Sequence, residues 1–184
     1  MNNTRYPLPL IMDSTILFNF IIIGKFEILE SLYKNQMLIP VDVKIEVSTD
    51  RVVGPLLQEK INKGICEEYA IDYQCKPVEI KEYINLRKKF GHGESACLAI
   101  AKTWKVTIAT DDMKAAKKYC EKNNISLIGT LGILYQAYDK NIITAEEGQA
   151  ILSDMINIRA YKSPVSDFNS VIEWFEQNKG RKLF

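Results

Sequence analysis

Five carboxylates stand out by where they fall: Asp13, Glu46, Glu94, Asp111 and Asp112. Asp13 ends the short apolar run Leu8–Met12. Asp111 and Asp112 follow Val106–Ala109, a run that reads as a short buried strand stopping at Thr110. Glu94 opens a segment in which Ala96, Cys97, Ile100 and Ala101 recur at helical spacing. Glu46 sits in Val41–Val47, a short helix after the strand Met37–Ile39, with Val43 and Val47 inward. Each acid alone has an ordinary explanation, as a helix cap, a dipole partner or a solvated turn. If the strands are parallel, however, Asp13 and Asp111-Asp112 leave from one sheet edge, with Glu46 and Glu94 close by. Several carboxylates in one place repel, and one must keep a proton unless cations are bound. Hard divalent ions with oxygen ligands, chiefly Mg²⁺ or Mn²⁺, answer that repulsion. Such a site suits hydrolysis of a phosphodiester.

The elements that must position these acids alternate. After Asp13 comes a helix that is apolar nearly all round, Ile16–Ile23, interrupted by Asn19 and stopping near Gly24. Ser14 and Thr15 are its expected caps. Phe26 to Leu32 gives an amphipathic helix, and a polar helix covers about Pro55–Lys63. Ile65–Tyr73 is the expected third strand, and Pro77 opens a helix running to Arg87-Lys88-Lys89. Gly91-His92-Gly93 reads as a hinge into the Glu94 helix. A helix with Ala115, Ala116 and Tyr119 follows Asp112, then a strand at Ile125–Ile128 and a helix opened by Gly129-Thr130. This predicts an α/β fold, a parallel sheet of about five strands between helices. From Thr144 the pattern is helix only, so the expected division is residues 1–143 as the core domain and 144–184 as a C-terminal helical extension. The rings of Trp104 and Trp174 are expected in the core. Trp174, Phe175 and Ile172 on the last helix are expected to face a neighbouring surface and help form a homodimer.

Composition narrows the classes. Of 184 residues, 47% are hydrophobic and 26% charged, and the net charge is +1. No global basic field marks a nucleic-acid binder, so binding would rest on local runs such as Arg87-Lys88-Lys89 and Lys114-Lys117-Lys118. Four cysteines form no CxxC pair, and the single histidine, His92, completes no usual zinc spacing with them. Free thiols and no visible export signal point to the cytoplasm. The longest apolar run falls short of the ~20 residues of a membrane span, so no membrane partner is expected.

Four pieces in order carry a resemblance: IMDSTIL around Asp13, IPVDVKIEV around Glu46, GHGESACLAIA around Glu94 and VTIATDD before Asp112, with IGTLGILYQA from Ile128 as a later feature. Together, over about residues 8–143, they resemble a PIN domain, the nuclease fold of VapC-type toxins. The resemblance implies an acidic Mg²⁺ or Mn²⁺ site cutting RNA, with Asp13, Glu46, Glu94 and Asp112 catalytic. Metal would be held by Asp13, Glu94 and one of Asp111 and Asp112. Asp112 is favoured, because Thr110-x-Asp112 fits the family's Thr-x-Asp spacing, and Glu94 stands where the family often has Asp. Ser14, Thr15, Thr110 and Lys114 are candidates for contact with substrate. The partners implied are RNA and an antitoxin protein. The competing reading is a PIN-like module that binds nucleic acid or protein without cutting.

Overall fold

The computed structural model describes residues 6–72 and 74–178; the side chains of residues 113–115 also lie outside the description. Five strands form one parallel sheet: β1 (Leu10–Met12), β2 (Met37–Pro40), β3 (Glu67–Tyr69), β4 (Thr107–Ala109) and β5 (Leu127–Ile128). Their order is β3-β2-β1-β4-β5. Leu10 is level with Met37 on one side of β1 and with Thr107 on the other. The central strand is therefore the one that ends at Asp13, and all five strands point toward the same edge.

Burial explains the composition of the strands. β1, β2, β4 and β5 are buried throughout, as expected where helices cover both faces of a parallel sheet. β3 lies at the edge, is partly exposed and reads Glu-Glu-Tyr. It is shorter than the Ile65–Tyr73 run: Ile65 and Cys66 are buried ahead of it, and Tyr73 lies outside the described residues.

The helices are α1 (Ser14–Ile22), α2 (Phe26–Tyr33), α3 (Val41–Ser48), α4 (Val53–Asn62), α5 (Pro77–Leu86), α6 (His92–Trp104), α7 (Met113–Asn123), α8 (Thr130–Asp139), α9 (Ala145–Asn157) and α10 (Phe168–Gln177). Gly24, at φ 66°, ends α1 in a left-handed turn that glycine adopts at no steric cost. The supposed hinge at Gly91–Gly93 is instead the first turn of α6, with Gly91 as its N-cap. The expected caps of α1 are also displaced: Asp13 takes the N-cap position without a side-chain cap bond, and Thr15 serves another purpose described below.

The last two helices join the same core as the sheet. Phe168 is fully buried and meets Tyr138 of α8 edge to face, while Phe175 stacks on Tyr135 with centroids 4.5 Å apart. A full capping box starts α9, Thr144 accepting from the Glu147 N–H and the Glu147 carboxylate accepting from the Thr144 N–H. Trp174, expected in the core, is instead 49% exposed. Helical geometry gives the inward place to its neighbours Val171 and Phe175. Trp104 is half-buried, its Nε1–H bonded to Glu79.

Candidate functional site

Asp13 is buried and braced at the end of the central strand. It leaves β1 with its backbone N–H donating to Ala109 O at 2.9 Å, which continues the β1–β4 ladder by one residue. Its side chain is 6% exposed. Two hydroxyls donate to Oδ2, Thr15 Oγ1 and Thr110 Oγ1, each at 2.8 Å. Among the described residues, no hydrogen bond engages Oδ1. Charged carboxylate acceptors of this kind hold a single rotamer firmly.

Glu46 is positioned by an absence. Its Oε1 accepts the Gly93 N–H at 3.0 Å, in the first turn of α6, where unpaired N–H groups and the helix dipole favour an anion. A Cβ at Gly93 would stand 2.7 Å from both oxygens of Glu46, so the carboxylate occupies the space a side chain would fill.

Glu94 follows directly. Its Oε1 is buried and has no hydrogen-bond partner among the described residues. Burial first, then the charges of Asp112, Asp13 and Glu46, push its carboxyl up to about 7. Asp13, Glu46 and Asp112 thus lie close enough for their charges to act on Glu94. Cys97, behind them and fully buried, has its thiol pushed up by burial and by Asp13, Glu46, Glu94 and Asp42. It is no thiolate and no soft metal ligand.

The two adjacent aspartates part company. Asp112 is exposed, its N–H donating to Thr110 Oγ1 at 3.1 Å. Asp111 turns inward and is taken up by the fold. Its Oδ1 accepts the Thr130 N–H at 2.8 Å, and its Oδ2 accepts from Asn19 Nδ2 and Thr130 Oγ1. It sits at the start of α8 and joins β4 to α1 and α8. Burial raises its carboxyl, and the charge of Asp13 adds to that; the bonds from Thr130 and Asn19 oppose it. Asp111 is thereby engaged at both oxygens, while Asp112 beside it is exposed.

The substrate candidates separate in the same way. Thr110 is fully buried and spends its hydroxyl on Asp13, so it orients a carboxylate and has no surface for substrate. Thr15 donates to Asp13 and accepts the Asp111 N–H at 3.1 Å, again a brace. Ser14 is half-buried at the start of α1. The side chain of Lys114 lies outside the described residues. Asn19 was readable only as a polar interruption of an apolar helix. Its partners are 92 and 111 residues away.

The donors gathered here are hard carboxylate oxygens, and one is buried without a partner. In charge and donor type they fit a hard divalent cation. Among the described residues, no three histidine, cysteine, aspartate or glutamate side chains are gathered into a set that encloses an ion. The acids thus share charge without a closed coordination shell.

The fold is α/β, a five-stranded parallel sheet between helices, with acids at the carboxyl edge of its central strands. A family model described as a PIN domain matches residues 9–173, and the chain belongs to the PIN-domain family. The match extends beyond residue 143, through α9 and into α10. PIN domains are generally nucleases and typically use divalent metals. No curated protein matches the chain. Among the described residues no helix is long and apolar enough to cross a membrane.

Proposed function

We propose that this PIN domain is a divalent-metal-dependent endoribonuclease that hydrolyses RNA phosphodiester bonds. Asp13, Glu94 and Asp112 would hold Mg²⁺ or Mn²⁺, with Glu46 orienting a ligand or a water. The observation that carries the reading is Glu94: one oxygen is buried without a hydrogen-bond partner among the described residues, and burial first, then three neighbouring carboxylates, push its carboxyl up, which marks a site short of positive charge. Bound there, a divalent ion would supply an activated water and shield the charge on the leaving oxygen. The chain's own residues do the rest. Thr15 and Thr110 hold the Asp13 carboxylate in one orientation, and the start of α6 holds Glu46 beside Glu94. Without a cation, burial and the neighbouring charges favour the protonated form of Glu94 up to about pH 7. The same reading extends to the toxin of a toxin–antitoxin pair. A small neighbouring antitoxin gene whose product blocks cleavage would support that extension.

Cleavage of RNA in Mn²⁺ is the test. Asp13→Asn keeps the shape, removes the negative charge, leaves one neutral oxygen and abolishes cleavage. Asp112→Asn does nearly the same. Glu46→Gln costs about 10–100-fold, the usual loss for a residue acting through another ligand. Asp111→Asn costs least in cleavage, because its oxygens belong to Thr130 and Asn19. RNA cut by Asp13→Asn as fast as by wild type sinks the reading.

A further inference from the structure

Beside the acids lies a cation that is aimed without being neutralised. Arg87 follows α5, and its Nη1 donates to the Phe90 carbonyl. Its Nη2 is 2.8 Å from His92 Nε2. A guanidinium only donates, so His92 Nε2 accepts and the ring proton sits on Nδ1. Nδ1 is 3.0 Å from the Tyr83 hydroxyl, whose hydrogen goes to Asp42 Oδ1 at 2.8 Å. Arg87, His92, Tyr83 and Asp42 form one chain in which each group donates to the next. Among the described residues Arg87 forms no salt bridge with a carboxylate. An imidazole and a phenol stand between it and Asp42, so its position is fixed and its charge is not cancelled.

The chain of bonds passes through α6 and ends on α3, the helices that carry Glu94 and Glu46. His92 begins α6 two residues before Glu94, and Asp42 precedes Glu46 by one helical turn on the same face of α3. Exposed Lys88 and Lys89 continue the positive run from Arg87. The five N–H donors of a guanidinium form a planar fork that matches the paired oxygens of a phosphate. Two neutral partners already hold this one, so little side-chain freedom is left to lose on binding. We propose that Arg87 binds a backbone phosphate of the RNA strand beside the acidic cleft, with His92 and Tyr83 as positioning residues that aim its guanidinium. The proposal rests on the ribonuclease reading for the identity of the strand and names its first contact outside the acids.

Binding of a labelled single-stranded oligoribonucleotide of mixed sequence, followed by anisotropy in the Asp13→Asn background with Mn²⁺ across a salt series, tests it. Arg87→Gln weakens binding and lowers the slope of log K against log salt by about 0.7, the value for one phosphate contact on a single strand. Arg87→Lys keeps the slope but binds more weakly than the parent, because charge is retained and the fork is lost. His92→Phe weakens binding in the parent and adds nothing in the Arg87→Gln background. Lys81→Gln, on the exposed side of α5, removes the same charge and leaves binding and slope unchanged. Circular dichroism confirms that each variant is folded. The proposal is overturned by an unchanged slope in Arg87→Gln, by an equal loss in Lys81→Gln, by independent effects of His92 and Arg87, or by no RNA binding in the parent. Arg87-dependent binding with no cleavage by wild type defeats the nuclease reading alone; cleavage with Arg87-independent binding defeats this one alone.

Discussion

At position 93 the working feature is a hydrogen atom in place of a side chain. Gly93→Ala inserts a methyl where the Glu46 carboxylate rests. Alanine suits a helix better than glycine by about 1 kcal/mol, and Glu46 is long enough to swing away. The expected result is a melting temperature unchanged or raised, together with a cleavage loss of about the 10–100-fold expected for Glu46→Gln. Thermal melts and single-turnover rates on the same preparation check both halves; full activity would show that the seat of Glu46 does not matter. Glu94 makes a prediction of its own. Its carboxyl is pushed up to about 7 in the folded chain, against 4.5 for an ordinary glutamate. The native state therefore holds the Glu94 proton more tightly than the unfolded chain does. That contribution to stability is complete below pH 4.5 and is lost as pH rises through 7. Metal-free protein should lose melting temperature over that window, and Glu94→Gln should flatten the loss, making the variant the more stable of the two at pH 8. Equal pH dependence in both proteins would remove Glu94 as its source.

At the level of elements, α9 shows how packing overrides propensity. A Cβ at Gly148 would run into the ring of Phe168, which is fully buried between α9 and α8. Gly148→Ala should therefore destabilise by about 1–3 kcal/mol, as overpacking does, although alanine is the better helix former. Urea unfolding measures this, and a stabilised variant would mean that the ring has room to move. The elements themselves were largely legible in the sequence. Strands β1, β2, β4 and β5 are short apolar runs stopped at Asp13, Pro40, Thr110 and Gly129, and α9 announces itself by Thr144 and Glu147. Four acids in chain order were also legible, and the charges of Asp13, Glu46 and Asp112 act on Glu94. The braces were not legible. Thr110 and Thr15 resemble substrate contacts until the burial of Thr110 and the shared acceptor Asp13 Oδ2 are known. Asp111 and Asp112 are adjacent in sequence and differ only in which way the turn faces them. Asn19 and the run from Asp42 to Arg87 depend on contacts between distant segments, and local spacing carries no trace of those.

For the whole molecule, the helices after residue 143 belong to the core that holds the sheet. Ile151, Leu152, Met155, Phe168 and Val171 are buried in one cluster with β1 and β4. Ending the chain at Asn141 strips this cover from Tyr135 and Tyr138 of α8. Truncation of a single buried phenylalanine to alanine costs about 3–5 kcal/mol, against a typical total stability of about 5–15 kcal/mol. The shortened chain should lose its cooperative melt or aggregate, as read by circular dichroism and light scattering. A soluble shortened chain with a sharp melt would show that the sheet and its first eight helices suffice.

The join between β1 and β4 also has a consequence in time. Asp13 and Thr110, bonded across that join, are 97 residues apart in the chain. Closing so long a loop gains nothing until both strands meet, and parallel pairing over such separations is intrinsically slow. A partly folded chain with only its local helices formed has no braced Asp13 and no shared acidic cleft. The arrangement of acids on which the proposed chemistry rests therefore arrives with the most non-local step of folding.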